Sequence, residues 1–404
     1  MDAAREPAEG GVMRILVLAP QPFYANRGTP IAVKALVEGL SEMGHRIDLL
    51  TYFEGEAVSI PGATIHRIPR PPGVRRVPIG PSGPKLLCDL FLWRDALRLL
   101  RRCSFDLIHA VEESAFIAMH LSRRFGIPFV FDMDSIMSEQ VREKGPLFAP
   151  AARVFARLER AAVRRAAGTL AVCPVMVDFA RKCAPAAHVA LLPDRPVPIP
   201  PGKGGAASDS AGLSGLAGVR FLYVGNLERY QGIDLMLSAF SRAASAAPDM
   251  TLTVVGGGTA DVAACQARAA EMAGGERVRF VGPRPLAELP ALLRAADALV
   301  SPRLKGVNTP MKIYNYMAAG RPVLATRILS HTQVLDDGTA LLRDPEPAAF
   351  ADGFRRLAED AELRKRLGMA AKETVEREYG AERHQERLVA FYESLVGRPR
   401  GGGL

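Results

Sequence analysis

The stretch Asn308-Thr309-Pro310-Met311-Lys312-Ile313-Tyr314-Asn315-Tyr316-Met317-Ala318-Ala319-Gly320-Arg321-Pro322 writes out a helix whose N-terminus is prepared to hold an anion. Thr309 is of the type that caps a helix, Pro310 suits the first helical position, and Gly320 with Pro322 ends it. Just upstream, the apolar run Ala298-Leu299-Val300 followed by Ser301-Pro302 reads as a buried strand. The helix therefore follows the C-terminal end of a strand, where open α/β sheets bind ligands. Its free N–H groups and dipole would point into that crevice. Arg303 and Lys305 lie in the approaching loop, Lys312 in the first turn and Asn315 one turn further on, so several polar groups converge. A phosphate suits this set. An ordinary capped surface helix would read the same locally, but fold position and charge agree on the phosphate.

Outward from this helix the chain alternates strand and helix patterns. Arg14–Ala19 (RILVLA) reads as a buried strand, and a loop through Gly28, Thr29 and Pro30 leads into an apolar-periodic helix that stops at Gly44. Strands are expected at 46–51, 106–110, 129–133 and 169–173, with helices near 113–125 and 148–167. The opening then repeats: residues 220–225 (RFLYVG) resemble RILVLA and again precede a loop and a helix, near 233–240. Further strands are expected at 251–255, 277–281, 297–300 and 322–326. This is βαβ architecture, and it predicts an α/β protein of two Rossmann-like domains facing each other across a cleft. The expected limits are 13–195 for the first domain and 219–380 for the second, with a Pro- then Gly/Ala/Ser-rich linker at 196–218. A final helix and tail, 381–404, could pack back onto the first domain.

Composition bounds the rest. With 404 residues, 48% of them hydrophobic, the chain can bury two ordinary cores. A net charge of +9 fits anionic small molecules, an anionic membrane surface or nucleic acid without choosing among them. Five scattered cysteines, with no C-x-x-C pair, favour a reducing compartment over a disulfide framework. There is no signal-peptide pattern and no run of about 18 apolar residues. A cytoplasmic protein that can touch a membrane is the expectation.

Taken in order, several short pieces carry a resemblance. They are Gly28-Thr29 before the first long helix, Met43-Gly44-His45, Tyr223-Val224-Gly225-Asn226, Gln231-Gly232-Ile233-Asp234, the Gly256-Gly257-Gly258 loop, Val281-Gly282, and Met317-Ala318-Ala319-Gly320-Arg321-Pro322-Val323. The ordered set resembles a family-4 retaining glycosyltransferase of the GT-B fold, over nearly the whole chain. The resemblance implies a nucleotide-sugar donor held by the second domain and an acceptor, a glycan or a lipid-linked or small molecule, held by the first. It implies no metal, no cofactor and no protein nucleophile.

The departures matter too. The family's paired glutamates are replaced by Val307 and Asn315, and its diphosphate-binding Arg and Lys by Asn226 and Gln231. Arg229, Arg303, Lys305 and Lys312 are the nearest substitutes. Where relatives often present a histidine to the donor sugar, this chain has Asp134, the expected catalytic contact. Donor contacts are accordingly expected from Gly28, Thr29, Asn226, Gln231, Gly257, Arg303, Lys305, Asn308, Thr309, Lys312 and Asn315.

Each candidate has a plainer reading. Asn315 serves equally as a ribose contact or a solvated helix residue, and the loop at 256–258 as a ligand loop or a bare βα turn. Asp132-Met133-Asp134 resembles a metal-binding D-x-D but ends a first-domain strand, away from the donor signals, so a metal-free role is preferred. Glu112 and Glu113 can line a cleft or simply favour a helix dipole, and His109 belongs to the end of its strand. From Arg67 to Arg102 there are nine basic and two acidic residues. Leu86, Leu90, Trp93, Leu97 and Leu100 run at helical spacing beside Arg94, Arg98 and Arg101. A core-facing helix is preferred over a membrane-lying one, and nucleic acid is not an expected partner. The alternatives to transfer are a non-catalytic sugar-nucleotide or glycan-binding relative and a nucleotide-sugar epimerase.

Overall fold

A computed structural model describes residues 11–25, 28–78, 82–198, 218–246 and 249–396. Most of the expected linker, and the tail beyond 396, lie outside the described residues. The chain divides into two compact units, one ending at Pro193 and regaining the chain from His384, the other running from Asp194 to Arg383.

Unit 1 runs through β1 (Arg14–Ala19), α1 (Gly28–Glu42), β2 (Arg46–Thr51), β3 (Ala63–Arg67), α2 (Gly83–Arg102), β4 (Leu107–Val111), α3 (Ser114–Phe125), β5 (Phe129–Met133), α4 (Met137–Glu143), α5 (Ala149–Arg165), β6 (Gly168–Ala171), α6 (Pro174–Cys183) and β7 (Val189–Leu191). Unit 2 runs through β8 (Val219–Val224), α7 (Ile233–Ala244), β9 (Met250–Val255), α8 (Thr259–Ala270), β10 (Val278–Gly282), α9 (Leu289–Ala295), β11 (Ala298–Ser301), α10 (Met311–Ala318), β12 (Val323–Thr326), α11 (Leu329–Thr332), β13 (Leu341–Arg343), α12 (Pro347–Glu359) and α13 (Ala361–Tyr379). The last helix, α14 (Ala381–Val396), begins there and passes into unit 1.

Each unit holds one parallel sheet, in the order β3-β2-β1-β4-β5-β6-β7 in the first and β10-β9-β8-β11-β12-β13 in the second. Ile15 to Ala19 are wholly buried, as a central strand covered on both faces requires. In both units the order reverses beside the opening strand, at β1/β4 and β8/β11, and each reversal marks a crevice beyond the strand ends.

The edge strands β3, β7 and β13 were not expected. They are only three to five residues long and lack the unbroken apolar run that marks a buried strand. The short helix α4 was also unforeseen. The Glu159 carboxylate, from α5, accepts the N–H groups of Met137 and Ser138 at 2.6 and 3.3 Å and so closes its N-terminus.

On α2 the buried face is Cys88, Leu92, Ala96 and Leu100. Of the stripe read from the sequence only Leu100 belongs to it, while Leu86 and Leu90 are 66% and 54% exposed. The stripe misled because two turns of this helix are apolar on the outer side as well.

The α14 helix joins the core of unit 1. Leu388, Phe391 and Tyr392 pack with Val33, Leu36, Val37 and Leu40 of α1. Side chains of this size each stabilise by about 1.5–3 kcal/mol when fully buried. Gly39 makes the approach possible: a Cβ there would stand 2.6 Å from the Gln385 side-chain oxygen and 2.8 Å from Leu388.

Candidate functional site

In unit 2 the crevice beside the β8/β11 reversal is built from the loop after β8, the Gly-rich loop after β9, and the segment leading from β11 into α10. Lys312 lies in the first turn of α10. Its Nζ donates to Gln231 Oε1 at 3.1 Å and stands 4.3 Å from the centre of the Tyr223 ring. A Cβ at Gly225 would come within 2.8 Å of the same nitrogen, so the amine is tucked close beneath the β8 loop. Among the described residues no carboxylate pairs with it. Burial, with repulsion from Arg303 added, brings its pKa down to about 7.

Arg303 shapes the loop from β11 to α10. Its guanidinium donates to the Lys305 carbonyl at 2.6 Å, the Asn308 carbonyl at 3.1 Å and Asn308 Oδ1 at 3.0 Å. It also lies 5.6 Å from the Tyr230 ring centre, and only 7% of the residue is exposed. Asn308 is therefore a brace for Arg303, and Lys305 is left exposed on the loop.

From below, a buried network holds the same loop. The Ser301 hydroxyl meets His331 Nε2 at 3.0 Å, His331 Nδ1 donates to the Thr326 carbonyl at 2.8 Å, and the Thr326 hydroxyl donates to the Arg303 carbonyl. Burial lowers the His331 pKa to about 3, so the ring stays neutral.

Two residues of this stretch depart from the sequence expectation. Thr309 does not cap α10: Pro310 occupies the cap position without a side-chain bond, and the helix begins at Met311. The Thr309 hydroxyl is instead buried, the residue 2% exposed, with no hydrogen-bond partner. Asn315 is neither solvated nor open to a ribose through its carbonyl oxygen, since that atom accepts the Val197 N–H at 2.7 Å and so ties down the strap entering unit 2. Gly320, in left-handed backbone at φ +65°, ends the helix as read.

Asn226 is exposed, with its side-chain amide 3.4 Å from the Tyr230 hydroxyl, whereas Gln231 is buried against Lys312. Gly257 is boxed in, a Cβ there falling 2.5 Å from Leu227. The parts played by Tyr223 and Tyr316 had no signal in residue spacing. The Tyr316 hydroxyl accepts the Val224 N–H at 2.8 Å, fixing the end of β8 over α10.

In unit 1, Gly28 and Thr29 open α1, Gly28 exposed and Thr29 half-buried. Asp134 is half-buried just past the end of β5. Its neighbour Asp132 faces the other way in function: it lies 3.1 Å from His109 Nε2, and His109 Nδ1 lies 2.6 Å from the Tyr392 hydroxyl. This chain of contacts anchors α14. His109 is in the middle of β4, not at its end. Glu113 pairs with Lys85, and Glu112 is the one non-glycine residue in left-handed backbone among the described residues, at φ +50°.

The domain described as "Glycosyl transferase 4-like domain" matches residues 27–195, and "Glycosyl transferases group 1" matches 218–360. The chain is 25% identical over 403 residues to the phosphatidyl-myo-inositol mannosyltransferase of Mycobacterium tuberculosis, covering 95% of this chain and 98% of that protein. It is 29% identical over 188 residues to the D-inositol 3-phosphate glycosyltransferase of Corynebacterium urealyticum, a match spanning 45% of this chain and 44% of the relative. Two solved structures share the fold. Sucrose-phosphate synthase from Thermosynechococcus elongatus superposes with a TM-score of 0.78 at 20% identity, over 95% of this chain and 99% of that one. Anabaena Alr3699/HepE, in complex with UDP, gives 0.73 at 17% identity, over 95% and 100%.

Proposed function

We infer, this chain being a GT-B glycosyltransferase built from a 4-like and a group 1 domain, that it transfers a sugar from a nucleotide-sugar to an acceptor with retention at the anomeric carbon and without a metal. The observation that carries the donor half is Lys312: a buried amine with no carboxylate partner among the described residues, at the start of α10 and beside the orphaned Thr309 hydroxyl. A diphosphate would supply the missing charge, accept from Thr309 and from the helix N–H groups, and restore the lysine's proton. A structural neighbour, Anabaena Alr3699/HepE, captured with UDP and with UDP-glucose supports a nucleotide-sugar donor.

Catalysis in this reading is positioning together with stabilisation of the departing diphosphate by Lys312, by Arg303 and by the α10 N-terminus. Asp134 is the group proposed to meet the donor sugar, where a carboxylate accepts a hydroxyl proton and favours positive charge developing at the anomeric carbon. Relatives named for phosphatidyl-inositol support an acceptor presented at a membrane.

The test is turnover of UDP-, GDP- and ADP-sugars in excess EDTA, with the product's anomeric configuration read by NMR. Transfer or slow donor hydrolysis should persist in EDTA with the configuration retained, and Asp134→Asn should lower kcat by about 100-fold at unchanged nucleotide affinity. Inversion, or activity lost to the chelator and restored by Mg²⁺, would refute the scheme.

A further inference from the structure

Three helices of unit 1 carry two adjacent basic residues in their last turns: Arg123 and Arg124 on α3, Arg164 and Arg165 on α5, Arg181 and Lys182 on α6. All six are exposed. The connections from β4 to β5, β5 to β6 and β6 to β7 join neighbouring parallel strands in one direction across the sheet, so right-handed crossovers put the three helices on one face. There α5 packs between α3 and α6. Their C-terminal ends lie side by side where the strands begin, at the end of the sheet opposite the crevice. Packed helices stand about 8–10 Å apart, so the three basic pairs form a row about 20 Å long.

The helix dipole explains only part of this charge. One cation in a last turn offsets it, and helices of unit 2 carry one: Arg242 on α7, Arg268 on α8, Arg294 on α9, Arg356 on α12 and Arg377 on α13. Two of these pair with acids, Arg268 with Asp234 and Arg377 with Glu378. None of the six in unit 1 has a carboxylate partner among the described residues. Over the three helices and the loops after them, residues 114–128, 149–167 and 174–188, nine arginines and lysines face two acids, Glu159 and Asp178. Glu159 is buried at the start of α4, so Asp178 alone offsets the charge at the surface. Like charges one turn apart, such as Arg160 and Arg164, destabilise a helix, so the row is kept at a cost.

We propose that this row docks an acidic segment of a partner polypeptide in an extended, polyproline-II-like conformation. Such a chain has three residues per turn and advances about 3.1 Å per residue, so side chains three apart share one side and recur about every 9 Å, the spacing of packed helices. About seven residues would span the row, with an Asp or Glu at every third position meeting a basic pair. Arginine, five of the six, holds carboxylates through paired N–H bonds. A bilayer fits this end poorly: the exposed leucines and phenylalanine of unit 1, Leu86, Leu90, Leu147 and Phe148, lie in the first half of α2 and just before α5. Single-stranded nucleic acid fits poorly as well, because no exposed aromatic ring is present here to stack on a base. A partner held at this end leaves the crevice open.

Fluorescence anisotropy of labelled deca-glutamate with the full chain at low salt tests the assignment. The native chain should bind the peptide, and Arg124→Ser/Arg165→Ser/Lys182→Ser should weaken it about tenfold. Each pair keeps one cation for its helix dipole, so this variant should melt as the native chain does. Arg242→Ser/Arg294→Ser/Arg356→Ser removes the same charge from unit 2 and should bind the peptide as the native chain does. Phosphatidylglycerol vesicles and a decathymidylate should bind without dependence on Arg124, Arg165 and Lys182. Absence of peptide binding, an equal loss in both triple variants, or tighter binding of vesicles or oligonucleotide through those three residues would each overturn the proposal.

Discussion

Lys312 holds a charge that its surroundings do not favour, and that tension makes it measurable. Between its lowered pKa of about 7 and the ordinary lysine range, the folded chain binds fewer protons than the unfolded chain at this site. Its contribution to stability therefore rises with pH across that window. An arriving diphosphate favours the ammonium, so binding near pH 8 should take up a proton. Calorimetry in two buffers of different ionisation enthalpy should show this uptake, and Lys312→Met should remove it. A native chain that binds nucleoside diphosphate at pH 8 with no proton uptake would mean that the lysine is not at the diphosphate. The place of Lys312, in a first helical turn after a buried strand, was legible in the sequence; its role at a diphosphate remains the proposal. Thr309 and Asn315 were misread for a common reason. Their bonding depends on the path of the 302–310 loop and on the strap at Val197, which residue spacing does not encode.

At the level of elements, α10 and the loop before it behave as one piece, because Arg303 is held by Asn308 above and by the Ser301–Thr326–His331 network below. The helix could be read from Asn308 to Pro322 alone, but the network joins residues from three separate segments and had no sequence signal. The α2 helix makes the complementary point. Nine basic residues in 67–102 were plain to see, but which leucines face inward was decided by packing on the sheet. We propose that exposed Leu86 and Leu90, with Arg94, Arg98 and Arg101 further along α2, meet an anionic bilayer. Each basic residue near such a surface contributes about 1 kcal/mol, so attachment should be reversible and salt-sensitive. Vesicle co-sedimentation should show preference for anionic lipid at low salt, reduced in Leu86→Ser/Leu90→Ser. Equal binding to neutral vesicles would leave these leucines without that role. No helix among the described residues is long and apolar enough to cross a membrane.

For the whole molecule, the two parallel sheets were readable because their central strands are buried on both faces and so are written as unbroken apolar runs. The duplicated openings of β1 and β8 gave the two-unit plan. The edges were not readable, since strands such as β13 are short and half-committed to solvent. Neither was the hold of Tyr392 on His109, which links residues far apart in the chain. The fold likeness to solved GT-B structures stands on the architecture, whereas the proposed donor site stands on a handful of side chains. The measurement that tests those most directly is calorimetric titration of UDP, GDP and ADP into the full chain in EDTA, with the native protein compared to Lys312→Ala. The native chain should bind one of them without metal, and Lys312→Ala should weaken that binding by about 1.5–3 kcal/mol, the range for hydrogen bonds to charged groups. Unchanged affinity in a folded Lys312→Ala variant would contradict the account.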